Sequence, residues 1–274
     1  MRNRLVALSM FAAALLGSGA ASAGPIINIG GINIETGISP TGFLKTTESS
    51  YEKLVTTKGD VLNGIIKVTE IVGDSGTTYS YGQNSYFLHG VFDSFTLDTI
   101  TSVAGGTKTE LRFTGGYLRY WVTTGSDTFT FNSDPAPGVS VAGQAFDIDK
   151  ANDGTLWLSY APAALDALGH TLVITIDGSD LTSFGHASAL AWLNVDGGLA
   201  ATAFNTNGFT DNTFSGPNDA KYEGTASTGV TGDWAISGSN NLKANAVPEP
   251  LTLSLFGAGL AGAAVLRRRK AKKA

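Results

Sequence analysis

The chain has 274 residues, with 18 basic and 23 acidic side chains and no cysteine. The lack of cysteine excludes disulfides, metal–thiolate sites and thiol catalysis together. Two basic residues precede residue 24 and six follow residue 266, so residues 24–246 carry 10 basic and 22 acidic side chains, a formal charge of −12. Such an acidic segment is not expected to bind nucleic acid or an anionic membrane by electrostatics.

The first 23 residues have the order of a secretory signal peptide. Two arginines within the first four residues supply positive charge, Leu5–Leu16 is apolar, and Ala21-Ser22-Ala23 is a small-x-small cleavage site. We therefore expect this segment to be removed, so that the mature chain begins at Gly24. The alternative is an uncleaved membrane anchor.

Residues 24–246 contain short β-branched and aromatic runs separated by Gly, Asn and Asp, a pattern typical of strands and turns. Residues 24–40 predict an edge strand or an ordered arm, 162–168 a short helix, and 238–246 a polar linker. Gly115-Gly116 and Asp196-Gly197-Gly198 predict tight hairpin turns. The predicted strands are 61–72, 86–92, 95–100, 111–113, 117–123, 127–131, 155–160, 171–177, 189–195, 199–204 and one within 225–237.

Short strands with turns about 8 to 12 residues apart, without alternating long helices, predict an all-β fold. We expect the body to be a β-sandwich or jelly roll. No fixed-period repeat is visible, which argues against a solenoid or propeller. The expected domains are a signal peptide (1–23), an exported β-rich body (24–246) and a C-terminal sorting segment (247–274).

The sequence contains a short serine-protease signature and three histidines that could bind zinc, but the residues that either chemistry also needs are not suitably placed. Gly73-Asp74-Ser75-Gly76 spells the trypsin-like nucleophile signature, but no histidine precedes Ser75, so a turn is favoured. The histidines, His89, His170 and His186, match no zinc spacing. No pair of acids stands out as a glycosidase pair, so no catalytic residue is predicted.

The segment 147–154 resembles a calcium loop because alternating carboxylates precede a glycine. If the loop starts at Asp149, Ala151 and Tyr160 stand where an EF-hand needs ligands. An acidic turn is therefore favoured, and we expect neither a metal nor a cofactor.

Four aromatic residues are candidates for a sugar-stacking surface: Tyr117, Tyr120, Trp121 and Trp157. Aromatic rings can stack on sugars, but these residues alternate along predicted strands. Half of them are therefore expected in the core.

The end of the chain has three parts in a fixed order. Pro248-Glu249-Pro250 comes first, the uncharged Leu251–Leu266 follows, and the cations Arg267, Arg268, Arg269 and Lys270 come next. A helix over those 16 apolar residues spans roughly 24 Å, slightly less than a hydrocarbon core of about 30 Å. Flanking cations can snorkel to the interface, so a single transmembrane helix is predicted. The basic stop-transfer cluster should remain cytoplasmic, which places the body outside.

The tail resembles the PEP-CTERM sorting signal of Gram-negative bacteria. Val247, Pro248, Glu249 and Pro250 match its sorting motif, and the apolar helix and arginine cluster follow in order. The resemblance implies an exosortase, a membrane enzyme that cleaves near Pro-Glu-Pro, in a host that makes extracellular polysaccharide. Such tails are also catalogued as the C-terminal domain of ice-binding proteins, a label that says nothing about the body.

The body resembles a β-rich class of PEP-CTERM proteins of unassigned function. The similar stretches are 64–71, 113–116, 153–158 and 194–200. They consist mostly of hairpin-type sequence, and no activity comes with them.

Together these features predict an exported, non-enzymatic protein of the cell surface or of a biofilm or polysaccharide matrix. Its precursor is expected in the inner membrane with the body outside. The expected partners are an exosortase-type enzyme and, at least transiently, the inner membrane, with extracellular polysaccharide as a further candidate and no nucleic acid. The alternatives are a carbohydrate-binding module of the matrix and a secreted hydrolase. The regular Thr-x-Thr ladder that ice binding would need is not seen.

Overall fold

The computed structural model describes residues 24–37, 43–126, 154–209, 216–229 and 234–247. Within these ranges the all-β prediction is confirmed. The strands are β1 (Ile26–Ile29), β2 (Ile32–Glu35), β3 (Leu44–Glu52), β4 (Val61–Gly73), β5 (Gly76–Ser80), β6 (Tyr86–Val103), β7 (Lys108–Thr124), β8 (Thr155–Ala163), β9 (His170–Asp177), β10 (Ala187–Gly197), β11 (Ala220–Thr228) and β12 (Ile236–Ala244), and the short helix α1 spans Ala201–Phe204.

The main sheet is antiparallel and closes on itself. Its order is β11-β12-β3-β4-β6-β7-β8-β10, and β10 pairs with β11. Strands β8 and β9 share one position, because β7 and β10 each pair with both of them along different halves. The result is an eight-position barrel. The predicted sandwich or jelly roll is therefore wrong in architecture: the same alternating strands serve both folds, and only the β10–β11 pairing removes the open edges.

The two ends of the barrel are closed differently. At one end, here called the loop end, Val55 and Phe184 are buried in the main core cluster. At the other, the hairpin end, the β1–β2 hairpin inserts the fully buried Ile32 and Ile34 into the same core. The predicted edge strand or arm at 24–40 is thus a hairpin that plugs the barrel.

Two long strands were predicted as broken. Strand β6 continues through Ser94, whose φ is 63°, where two strands were expected. Strand β7 continues through Gly115 and Gly116, with φ of 71° and 92°, where a hairpin turn was expected. Positive φ at these positions kinks the strands without ending them. Kinks of this kind let long strands coil around a barrel.

Four further expectations are corrected. Pro162 extends β8 by pairing with Leu193, so 162–168 is not a helix. The predicted strand at 199–204 contains α1 instead. The region 225–237 contributes to two strands, and the expected linker at 238–246 is largely β12, which pairs with β11 and β3.

Candidate functional site

Strand β3 turns polar side chains into the barrel. Thr46, Glu48, Ser50 and Glu52 are all buried, because alternate residues of a strand face the same side. On the neighbouring strand, a Cβ at Gly238 would lie 2.4 Å from Ser50 Oγ, so glycine is needed beside them. We call these four β3 residues the lumen stripe.

Two hydrogen-bonded chains hold the carboxyl groups of the lumen stripe. Glu48 Oε1 accepts hydrogen bonds from Thr46 Oγ1 at 2.6 Å and Tyr120 OH at 2.9 Å. Glu52 Oε1 accepts from Ser50 Oγ at 2.8 Å, and Asn240 Nδ2 donates to that hydroxyl at 2.7 Å. Burial raises the pKa of both glutamates to about 7, against the lowering effect of these hydrogen bonds.

Space and unmet hydrogen-bonding capacity remain beside the stripe. Glu52 borders two cavities of about 30 Å³ each, enough for one or two water molecules apiece. Within the described residues, Glu48 Oε2 and the hydroxyls of Tyr160 and Tyr222 have no hydrogen-bond partner. Glu48 is only 1% exposed and Glu52 8%, so the acids do not face an open cleft. The lumen therefore favours the neutral form of both acids.

The outer surface of the barrel carries aromatic rings and cations together. Tyr117, Arg119 and Trp121 alternate along β7, and Arg119 Cζ lies 4.0 Å from the Tyr117 ring centroid. On the same side of the sheet, Lys67 Nζ lies 4.1 Å from the Tyr81 ring centroid. We call these five residues the outer aromatic face.

The four predicted sugar-stacking aromatics do not form one surface. Tyr117 and Trp121 belong to the outer aromatic face, and the Tyr117 hydroxyl donates to Asp93 Oδ2 at 3.0 Å. Tyr120 and Trp157 are buried, as the alternation predicted for half of the set. Trp121 packs against a small apolar cluster that includes the buried Trp234.

A charged cluster supports the barrel where β8 gives way to β9. His170 is 1% exposed, and its ring nitrogens lie 2.6 Å from Asp166 Oδ2 and 3.1 Å from Asp98 Oδ2. The hydrogen bond to Asp166, followed by the one to Asp98, raises the His170 pKa against the effect of burial. Arg112 Nη1 also donates to Asp166 Oδ2, at 2.7 Å. We call these four residues the β9 clamp.

The serine of the protease-like signature and the two remaining histidines each contact other side chains of the fold. Ser75 lies in the turn between β4 and β5, as predicted, and its N–H and Oγ–H both donate to Glu35 Oε2. His89 Nε2 lies 2.6 Å from Tyr81 OH, and the exposed His186 lies 3.3 Å from Asp177.

The calcium-loop segment 147–153 lies outside the described residues, so it stays a prediction. Within the described ranges, no group of three His, Cys, Asp or Glu side chains is placed to hold a metal ion.

The first residue of the predicted sorting motif, Val247, is hydrogen-bonded to the rest of the fold, as is the preceding Ala246. Ala246 O accepts a hydrogen bond from Gly37 N at 3.0 Å, and Val247 N donates to Ala203 O at 2.9 Å. Pro248, Glu249 and Pro250 and the basic cluster 267–270 lie outside the described residues. In the part of the chain that is described, no helix is both long and apolar enough to cross a membrane.

Comparison with known proteins identifies the tail and leaves the body without a match. A family model for the PEP-CTERM protein-sorting motif matches residues 246–270. No curated protein and no solved structure matches the chain. The chain therefore carries a PEP-CTERM sorting motif, the signal of proteins that an exosortase sorts to the cell surface, directly after a β-barrel body.

Proposed function

We propose that this chain is a non-enzymatic protein of the cell surface or polysaccharide matrix, released from an inner-membrane precursor by exosortase cleavage near Pro248-Glu249-Pro250. The observation that carries the proposal is the position of Val247. It is the first residue of the predicted sorting motif, it is 41% exposed, and it lies three residues past Ala244, the last residue of β12. Cleavage after it leaves every strand pair of the barrel intact.

The residues of the motif favour a backbone shape that a processing enzyme can bind. Proline fixes its own φ, and a residue before proline avoids the helical region, so the sequence Pro248-Glu249-Pro250 predicts an extended Glu249. One carboxylate in an extended segment just outside the membrane is a compact recognition feature. A chain in this shape fits the cleft of a protease-like enzyme, as substrates in β-strand form do.

The barrel interior supports a structural role for the body. Its two raised-pKa acids, Glu48 and Glu52, are buried among the strands, and the β1–β2 hairpin covers one end of the barrel. General acid–base catalysis needs the acid within hydrogen-bonding reach of a substrate, and neither group has such access.

The test is fractionation of the producing cells with detection of the body. Replacing Pro248-Glu249-Pro250 with three alanines lets the predicted helix begin earlier and removes the extended segment. We expect an uncleaved form to accumulate in the inner membrane. The matched control is Glu70→Ala, which removes an exposed glutamate of the barrel. Normal processing of the triple-alanine variant would overturn the proposal.

Polysaccharide binding by the outer aromatic face is the second candidate function. The supporting observation is that partly exposed rings and cations share one surface, where rings can stack on sugars and cations can bind sugar carboxylates. We expect Trp121→Ala with Arg119→Ala to reduce retention of the chain on the host's extracellular polysaccharide. The control is Trp192→Ala, a partly exposed tryptophan on β10. Equal retention of all three proteins would exclude this face.

A further inference from the structure

A fully buried carboxylate faces the predicted start of the mature chain. Gly24 N donates to Glu35 Oε1 at 2.9 Å, and Glu35 is 0% exposed. Its Oε2 accepts from Ser75 N at 2.9 Å and Ser75 Oγ at 2.8 Å. None of the recorded ion pairs among the described residues involves Glu35. Buried carboxylates are usually paired with a cation, and no described residue supplies one to Glu35.

The backbone at residue 24 is held in one place. Thr36 N and Thr36 Oγ1 both donate to Pro25 O, at 2.9 and 3.0 Å. A Cβ at Gly24 would lie 1.4 Å from Thr36 O, so no other residue fits without moving the backbone. The sequence independently places the signal-peptide cleavage site between Ala23 and Gly24. The nitrogen atom that the predicted cleavage would release, Gly24 N, is therefore the atom that is hydrogen-bonded to Glu35.

We propose that signal-peptide removal completes the fold, because the new α-ammonium of Gly24 becomes the ion-pair partner of buried Glu35. The inference rests on the export in the proposed function. Hydrolysis of the Ala23–Gly24 bond by a signal peptidase adds one water: the hydroxyl joins the Ala23 carbonyl carbon and a hydrogen joins the Gly24 nitrogen. The resulting amine, with an ordinary pKa of about 7.7 to 8.0, then takes a proton from solvent.

The precursor lacks this charge pair. Before cleavage the Gly24 nitrogen is a neutral amide that donates one hydrogen bond, and none of the described residues forms an ion pair with the Glu35 carboxylate. After cleavage the same nitrogen carries three donors and a positive charge. Asp74, the other titratable group of the turn that holds Glu35, is exposed. The hairpin end of the barrel is therefore more stable in the mature chain than in the precursor.

The test compares two exported chains, each made from a full-length precursor. One has the natural sequence; the other has a serine inserted between Ala23 and Gly24, so that cleavage leaves Ser-Gly24. Intact mass spectrometry first establishes where each chain begins. We then expect the natural chain to melt at least about 4 °C higher at pH 6.5. The difference should vanish at a pH well above the amine's pKa.

Glu35→Gln in both chains should abolish the difference, whereas Glu70→Gln should preserve it. If the Glu35 variant does not fold, acetylation of the α-amine in the natural chain gives the same information. We expect acetylation at least tenfold slower in the folded protein than in urea, and equal rates would overturn the inference. Equal melting temperatures for two chains that begin at Gly24 and Ser-Gly24 would also overturn it, and would leave the proposed export untouched. If the natural chain begins at a residue other than Gly24, the α-ammonium does not lie at Glu35 and the inference is wrong.

Discussion

The Tyr120 hydroxyl donates a hydrogen bond to Glu48 Oε1 at 2.9 Å, across the lumen from β7 to β3. Strands β4 and β6 separate these two strands in the sheet, so the bond ties different walls of the barrel together. Burial and the nearby Glu48 carboxyl raise the Tyr120 pKa well above its ordinary value. The phenol is therefore a neutral donor at neutral pH.

Tyr120→Phe should destabilise the barrel by about 1 to 3 kcal/mol, because it leaves a buried acceptor with one partner fewer. Denaturant unfolding followed by tryptophan fluorescence measures this. The matched control is Tyr117→Phe, which removes a partly exposed hydroxyl from the outer aromatic face. Equal destabilisation by the two variants would mean that the lumen bond has no special value.

Stability should fall as pH rises from 4.5 to about 7. Glu48 and Glu52 have folded pKa values of about 7 and an ordinary value of 4.5. Because the folded values are higher, their stabilisation is complete below pH 4.5 and is lost as pH rises to about 7. Melting temperature against pH measures this. Glu48→Gln and Glu52→Gln should flatten the curve, and a rise across the window in the natural protein would contradict the account.

Other titrating groups act in different windows. Carboxyl groups with lowered pKa, such as Asp166 at about 2, keep their contribution above 3.8 and lose it as pH falls through the folded value. His170 has a pKa above 6.5, so its contribution is complete below 6.5 and is lost at higher pH. The interval from 4.5 to 6.5 therefore reports mainly on the two lumen acids.

His170→Gln should loosen β9 without unfolding the barrel. Glutamine cannot carry the positive charge that lies between Asp166 and Asp98, so the β9 clamp loses both ion pairs of His170. We expect faster hydrogen exchange at the β9 amides at pH 6, with the excess shrinking above the His170 pKa. His186→Gln, which changes an exposed histidine, is the control and should leave exchange unchanged. Equal effects of the two variants would show that the clamp does not hold β9.

Removal of 248–274 should leave the barrel folded, because β12 ends at Ala244 and its pairing with β11 and β3 lies entirely before the removed segment. A chain that ends at Asn241 should unfold, since it loses the buried Leu242 and Ala244 and their pairing with β11 and β3. Near-ultraviolet circular dichroism distinguishes the two. Loss of the tertiary signal in the first truncation would make the tail part of the domain.

Strands with clear β-branched alternation were predictable from the sequence. The ranges 61–72, 155–160, 171–177 and 189–195 all fall within observed strands. Strand β3 was missed because its inward side chains are polar, and its alternation shows no apolar face. Strand β12 was taken for a linker for the same reason: Gly238 and Asn240 face the lumen stripe. Polar residues point inward here only because the barrel closes around them.

Whether a candidate site could be predicted from the sequence also depended on how far apart its residues lie in the chain. The sorting motif could be found because its residues are contiguous, so local order alone identifies it. The raised pKa of Glu48 and Glu52 depends on strands far apart in the chain, and nothing near them in sequence indicates burial. The predicted cleavage before Gly24 was local, but its contact with Glu35 required the β1–β2 hairpin.

The most direct measurement is the intact mass of the protein recovered from the surface or medium of its host. Export with processing at both ends predicts a chain that begins at Gly24, contains the whole barrel and ends between Val247 and Pro250. The apolar segment 251–266 and the basic cluster 267–270 should be absent. A surface-exposed chain that retains residues 251–274 would contradict exosortase processing, and a body found only in the cytoplasm would contradict export.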